Sequence, residues 1–141
     1  MKSNLSSMPK PILVTAAIII DKEKILLVQN QKNPKKGCYG FPGGIGGFEK
    51  TSDPAKAVIE EVMGDMRCIF TGSFFTYNFR DDDIPVVTLF FAGTIQGQPR
   101  PVCKNIVEIK YFPIEEARKM DLAYEHNFIL EKYLSRQKEG H

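Results

Sequence analysis

Residues Tyr39 to Asp65 read YGFPGGIGGFEKTSDPAKAVIEEVMGD, and they constrain the fold more than any other part of the chain. An extended aromatic segment breaks at Pro42-Gly43-Gly44, where proline removes a backbone donor and glycine admits turn geometry. Further on, Asp53 precedes Pro54. A short acidic side chain can accept from the free N–H groups of a first helical turn, and proline is preset for the first helical position. The pair predicts a helix from Pro54 to about Met63. Glu61 and Asp65 stand four residues apart, so a helix projects both carboxylates from one face. The same residues read equally as an ordinary solvated helix face.

The rest of the chain supplies strands. Ile12–Ile20 is β-branched and nearly continuous, as in a strand buried on both faces. Asp21-Lys22-Glu23-Lys24 is a polar turn and Ile25–Gln29 returns, a hairpin. Gly40–Phe41 is a short strand. Phe70–Phe79 and Pro85–Ile95 are aromatic and β-branched runs around the polar tip Arg80-Asp81-Asp82-Asp83, a second hairpin. Gln96–Pro101 is a Gly/Pro loop. Ile106–Phe112 alternates as a strand, Pro113–Ala117 starts a short helix, and Leu122–Leu134 is a closing amphipathic helix with Leu122, Phe128, Ile129 and Tyr133 near one face. The order is β-β-β-helix-β-β-β-helix-helix: a mixed α/β chain with antiparallel hairpins, without internal repeats.

A length of 141 residues suits one core. Residues 1–10 read as a flexible polar leader, 11–137 as the domain, and 138–141 as a disordered tail that resembles a cloning remnant. A net charge of +2 gives no electrostatic footprint for nucleic acid. The apolar run after Lys10 ends in DKEK, is followed by no small-residue cleavage site, and falls short of the ~20 residues that span a bilayer. Three widely spaced cysteines, Cys38, Cys68 and Cys103, make no C-x-x-C pair and fit a reducing cytoplasm.

The turn, loop and acidic helix resemble the Nudix box, G-x5-E-x7-R-E-U-x-E-E-x-G-U (U a bulky aliphatic), of the Nudix pyrophosphohydrolases. Anchored on Asp53-Pro54, the register needs an insertion after Gly44. Glu61 then keeps a box glutamate and Val62 an aliphatic position. Ser52 and Glu60 replace the box glutamate–arginine pair, Gly64 and Asp65 the paired glutamates, and Arg67 and Cys68 the closing glycine and aliphatic. The C-terminal half, including Leu122-Ala123-Tyr124-Glu125-His126, looks like the ADP-ribose and dinucleotide pyrophosphatase branch.

The resemblance implies a Nudix fold, a mixed β-sheet sandwiched between helices, and a hydrolase dependent on Mg²⁺ or Mn²⁺. Its substrate would be a small-molecule nucleotide, a nucleoside diphosphate linked to another moiety. No nucleic acid or membrane partner is expected, and a homodimer is open. The implied metal ligands are Glu61, Asp65 and a carbonyl of Gly43; Mg²⁺ commonly takes one or two carboxylates and fills its shell with water and phosphate oxygen. Glu60, Glu61 and Glu49 are the catalytic candidates, Glu60 or Glu49 as further ligand or general base. Gly43, Gly44, Tyr39 and Phe79 are the substrate-binding candidates, the aromatic rings by stacking a base, although core packing is the better reading of Tyr39, Phe41 and Phe79. Asn105 stands where many relatives carry another glutamate, with Glu108 nearby. His126 suits a cap or surface position, and Lys32, Lys35 and Lys36 a phosphate-attracting or merely solubilising loop. The depleted carboxylates also allow an alternative, a nucleotide-binding domain that does not cleave.

Overall fold

A computed structural model describes residues 10–30, 37–45, 50–81, 83–102 and 106–139. Seven strands form one mixed sheet: β1 (Ile12–Asp21), β2 (Lys24–Asn30), β3 (Tyr39–Gly40), β4 (Gly43–Gly44), β5 (Ile69–Asp81), β6 (Pro85–Gln96) and β7 (Ile106–Pro113). The two hairpins read from the sequence are present, with Ile20 opposite Ile25 and Asp81 opposite Pro85. One long-range pairing is parallel, Ile12–Ile19 of β1 alongside Val86–Gly93 of β6, and another is antiparallel, β2 against β7. Pro42 interrupts the third strand only briefly, because Gly43 and Gly44 resume pairing against Ala16 and Thr15 of β1.

Strand β1 is buried from Thr15 to Ile19, and its alternation divides the core. Ala16 and Ile18 pack with Phe90, Phe112, Ile129 and Leu130 on one face of the sheet. Ala17 and Ile19 pack with Val58, Val62, Met66 and Phe70 on the other. Helix α1 (Pro54–Met66) covers the second face; α2 (Ile114–Ala117) and α3 (His126–Glu139) cover the first. The sheet is therefore sandwiched between helices, as the resemblance implies.

Helix α1 begins as read: the Asp53 carboxylate accepts from the Ala55 N–H at 3.0 Å and Pro54 follows. It ends later than expected. Gly64 lies inside the helix, and the left-handed cap is Arg67 (φ 60°), whose N–H donates to the Met63 carbonyl at 2.9 Å. A helical glycine costs ~1 kcal/mol relative to alanine, and burial of Val62 and Met66 on either side of Gly64 offsets that.

The closing helix is a correction at its start. Leu122–Glu125 is not α-helical: a single turn of 3₁₀ helix spans Ala123–Glu125, and α3 starts at His126. The Asn127 side chain accepts from the Leu122 N–H at 2.8 Å and donates to the Met120 carbonyl at 2.7 Å, offering the backbone an alternative to helical bonds. The register consequently differs. Phe128 is 63% exposed and Leu130 is fully buried. At its far end α3 reaches Glu139, into the segment read as a tail.

Candidate functional site

The centre of the site is the contact between α1 and the glycine turn. Gly43 lies so close to β1 that a Cβ there would stand 2.1 Å from the Thr15 carbonyl oxygen, so no other residue fits without moving a strand. At Gly44 a Cβ would stand 3.1 Å from the carboxylate of Glu61. Glu61 thus rests directly on the turn, and glycine at 44 leaves the room it occupies.

One helical turn later, Asp65 shares a hydrogen bond with Glu61 and is 7% exposed. Burial, then the neighbouring Glu61 charge, then that hydrogen bond push the Asp65 carboxyl up to about 8. A hydrogen bond between two carboxyl groups needs a proton, and these causes favour the protonated form of Asp65. Asp65 is not the solvated group that a plain helix face would carry. The segment after β6 is tied to the end of α1 by backbone bonds: the Val102 N–H donates to the Asp65 main-chain carbonyl at 3.2 Å, and the Arg100 N–H to that of Met66 at 3.3 Å.

Thr15, opposite Gly44, faces the same side of the sheet by strand alternation with Ala17 and Ile19. Its hydroxyl is fully buried and has no hydrogen-bond partner among the described residues. Sequence reasoning missed it, since a threonine in a β-branched run gives no signal of a polar role.

The other candidates separate. Glu60 points elsewhere on the helix and pairs with Lys50 at 3.3 Å. Glu49, Lys32, Lys35, Lys36 and Asn105 lie outside the described residues. Tyr39 belongs to the opposite face, where its ring meets Phe112 edge-on at 4.9 Å between centroids. Its hydroxyl donates to the Glu108 carboxylate; that bond, then burial, then the Glu108 charge hold the phenol up at about 12. Phe41 is core. Phe79 is not: it is 55% exposed on β5 opposite Val87, and Tyr77 beside it opposite Leu89 is 65% exposed. Leu89 packs against the α1 core, which places both rings on the face that carries Glu61.

His126 caps the 3₁₀ turn with its backbone N–H, but it is not a surface residue. It is 6% exposed, and its Nδ1 accepts from the Phe41 N–H at 2.9 Å. Burial first, and the Arg80 charge second, push it down to about 3, so it stays neutral.

The donor set tests whether a cation fits. Among the described residues no cluster of three or more His, Cys, Asp or Glu side chains exists. Two adjoining carboxyls nevertheless form an oxygen-only set of the kind Mg²⁺ or Mn²⁺ accepts with water and phosphate completing the shell.

The sheet between helices, with a glycine turn leading to an acidic helix, defines a class that comparison with known proteins identifies. The NUDIX domain sequence profile matches residues 10–134, and the chain belongs to the Nudix family. It is 27% identical over 129 residues to an ADP-ribose pyrophosphatase of Methanocaldococcus jannaschii, covering 88% of this chain and 73% of that protein. Among solved structures, the NUDIX domain of Shewanella oneidensis NrtR complexed with ADP-ribose superposes with a TM-score of 0.81 at 20% identity, over 94% of this chain and 92% of that one. A MutT NUDIX hydrolase from Burkholderia pseudomallei gives 0.77 at 21% identity, over 86% and 97%. Among the described residues no helix is long and apolar enough to cross a membrane.

Proposed function

We propose that this chain hydrolyses the phosphoric anhydride of a nucleoside diphosphate linked to another moiety, ADP-ribose or a nucleotide sugar, using Mg²⁺ or Mn²⁺. The observation that carries the reading is the Glu61–Asp65 pair: the two carboxyls meet on one helix face, and Glu61 rests against Gly44. The likeness to an ADP-ribose pyrophosphatase supports the substrate class. When bound, the cation would offset phosphate charge and acidify water. Glu61, Asp65 and a backbone carbonyl of Gly43 would hold it.

The chain's own residues supply the rest. Asp65 must give up the proton it shares with Glu61 before the pair carries its full negative charge, so cation binding releases a proton. Gly43 keeps the turn tight against β1, and Gly44 leaves the room that the Glu61 carboxylate occupies. Phe79 and Tyr77 offer exposed ring faces on the same side of the sheet for the organic part of the substrate. In hydrolysis, water attacks phosphorus, the bridging P–O bond breaks, and the water proton passes to a carboxylate. Glu60 takes that role only by leaving Lys50; Glu49 is the other candidate. A cytoplasmic setting suits the separated cysteines, Cys38 and Cys68 being free thiols.

The test is release of nucleoside monophosphate from a panel of ADP-ribose, nucleotide sugars and dinucleoside polyphosphates, with Mg²⁺, Mn²⁺ or EDTA. Cation-dependent release that disappears in Glu61→Gln is expected. Tight nucleotide binding without any release would overturn hydrolysis in favour of a binding domain.

A further inference from the structure

The segment before α3 takes no part in the reading above, yet it carries the most unusual backbone in the described chain. Tyr124 (φ 54°) and Glu125 (φ 65°) are consecutive non-glycine residues in the left-handed region. Such conformations persist only where neighbours over-determine them. Here β5 does so: the Arg80 guanidinium lies 4.5 Å from the Tyr124 ring centroid, and the Asn78 side chain donates to the Glu125 carboxylate at 3.0 Å. The product of the two strained residues is the placement of His126 beneath the glycine turn.

His126 stacks flat on Phe41, centroids 4.3 Å apart and planes 5° from parallel, while Phe90 meets it edge-on at 5.6 Å. Its Nδ1 satisfies the Phe41 N–H, which lies just beyond the end of β3. The carbonyl of the following residue, Pro42, accepts from the Ala17 N–H at 2.8 Å. Gly43 and Gly44 then pair with Ala16 and Thr15, and Gly44 receives the Glu61 carboxylate. An unbroken chain of contacts leads from α3 to the metal turn. Gly40 completes it, since a Cβ there would stand 3.0 Å from His126 Nδ1.

We propose that His126 is a positioning residue for the proposed cation site: its acceptor nitrogen fixes the Phe41–Gly44 segment so that the glycine turn stays seated on Glu61. The inference deepens the metal reading and rests on it. It assigns a task to Leu122–His126 that the family resemblance names only as a pattern. What matters is an acceptor at the Nδ1 position, not the aromatic ring.

Two variants separate those properties. His126→Phe keeps a ring to stack on Phe41 and deletes the acceptor; His126→Asn discards the ring and places Oδ1 near the position of Nδ1. The measurements are Mn²⁺ affinity by electron paramagnetic resonance, hydrogen exchange at the Phe41 and Ala17 amides without metal, and thermal stability. His126→Phe is expected to weaken Mn²⁺ binding about tenfold and speed both amides, whereas His126→Asn stays within about twofold of the parent. Parent-like Mn²⁺ affinity in folded His126→Phe overturns the inference, and so does a loss that follows stability rather than the acceptor. Should His126→Phe not fold, Gly40→Ala displaces the imidazole instead; the same weakening is expected, and unchanged affinity sinks the claim. If the parent protein binds no Mn²⁺, the metal reading falls and takes the positioning role with it; amide exchange then still reports whether the latch exists.

Discussion

Gly64→Glu tests whether the site is limited by a missing carboxylate. Gly64 is exposed, lies inside α1, does not have a positive φ, and a Cβ there would meet nothing within 4 Å. The substitution is therefore free of steric cost. Replacing a helical glycine by glutamate gains ~0.5–1 kcal/mol from propensity. Against this stands repulsion from Glu61 at i−3, worth ~0.2–0.5 kcal/mol and partly screened by salt. In EDTA the variant should be equal to or up to ~0.8 kcal/mol more stable than the parent, a rise of at most ~2–4 °C in Tm for a domain of this size. With Mn²⁺ the balance changes, because a third carboxylate next to Glu61 and Asp65 faces a dication. A tenfold gain in affinity, about 1.4 kcal/mol, is the expected minimum. Calorimetric titration and paired denaturation curves measure both quantities. Unchanged affinity in a folded variant would refute the idea that the depleted box limits metal binding. Destabilisation by more than ~1 kcal/mol in EDTA would refute the steric and propensity reasoning.

Three other outcomes follow from the same geometry. Glu61→Gln should abolish nearly all hydrolysis while Tm stays within a few degrees, and parent-like turnover in a folded variant would remove Glu61 from the mechanism. Stability of the cation-free protein should fall as pH rises from about 4 to about 8, because the unfolded chain ionises Asp65 near 3.8 while the folded chain holds its proton to about 8. The dependence should flatten in Asp65→Asn and on adding Mn²⁺ to the parent; a flat pH–stability curve for the parent in EDTA counts against the shared proton. Asp53→Ala should cost about 1 kcal/mol by leaving the Ala55 N–H without its acceptor, and a variant as stable as the parent by urea denaturation would show that the cap contributes nothing.

Local chemistry was readable from the residue order. Asp53-Pro54 marks the start of α1 because a cap needs only its own turn. The β-branched run of β1 declares burial on both faces, and i,i+4 spacing alone puts Glu61 and Asp65 together. The resemblance in the glycine turn and box points to the family that the profile match shows. Other features depend on partners distant in sequence. Gly64 looked like a helix end, but the helix continues because Val62 and Met66 bury against strands that local propensity does not see. Phe79 looked like core, but it is 55% exposed on β5. His126 sits 85 residues from the amide it satisfies, and two left-handed residues deliver it there. Asp65 is held toward its protonated form because the fold buries its carboxyl at the end of α1 beside Glu61. Short-range order follows from hydrogen bonds and sterics within a few residues. Burial, and with it the charge state of the site, exists only after distant segments have excluded the solvent.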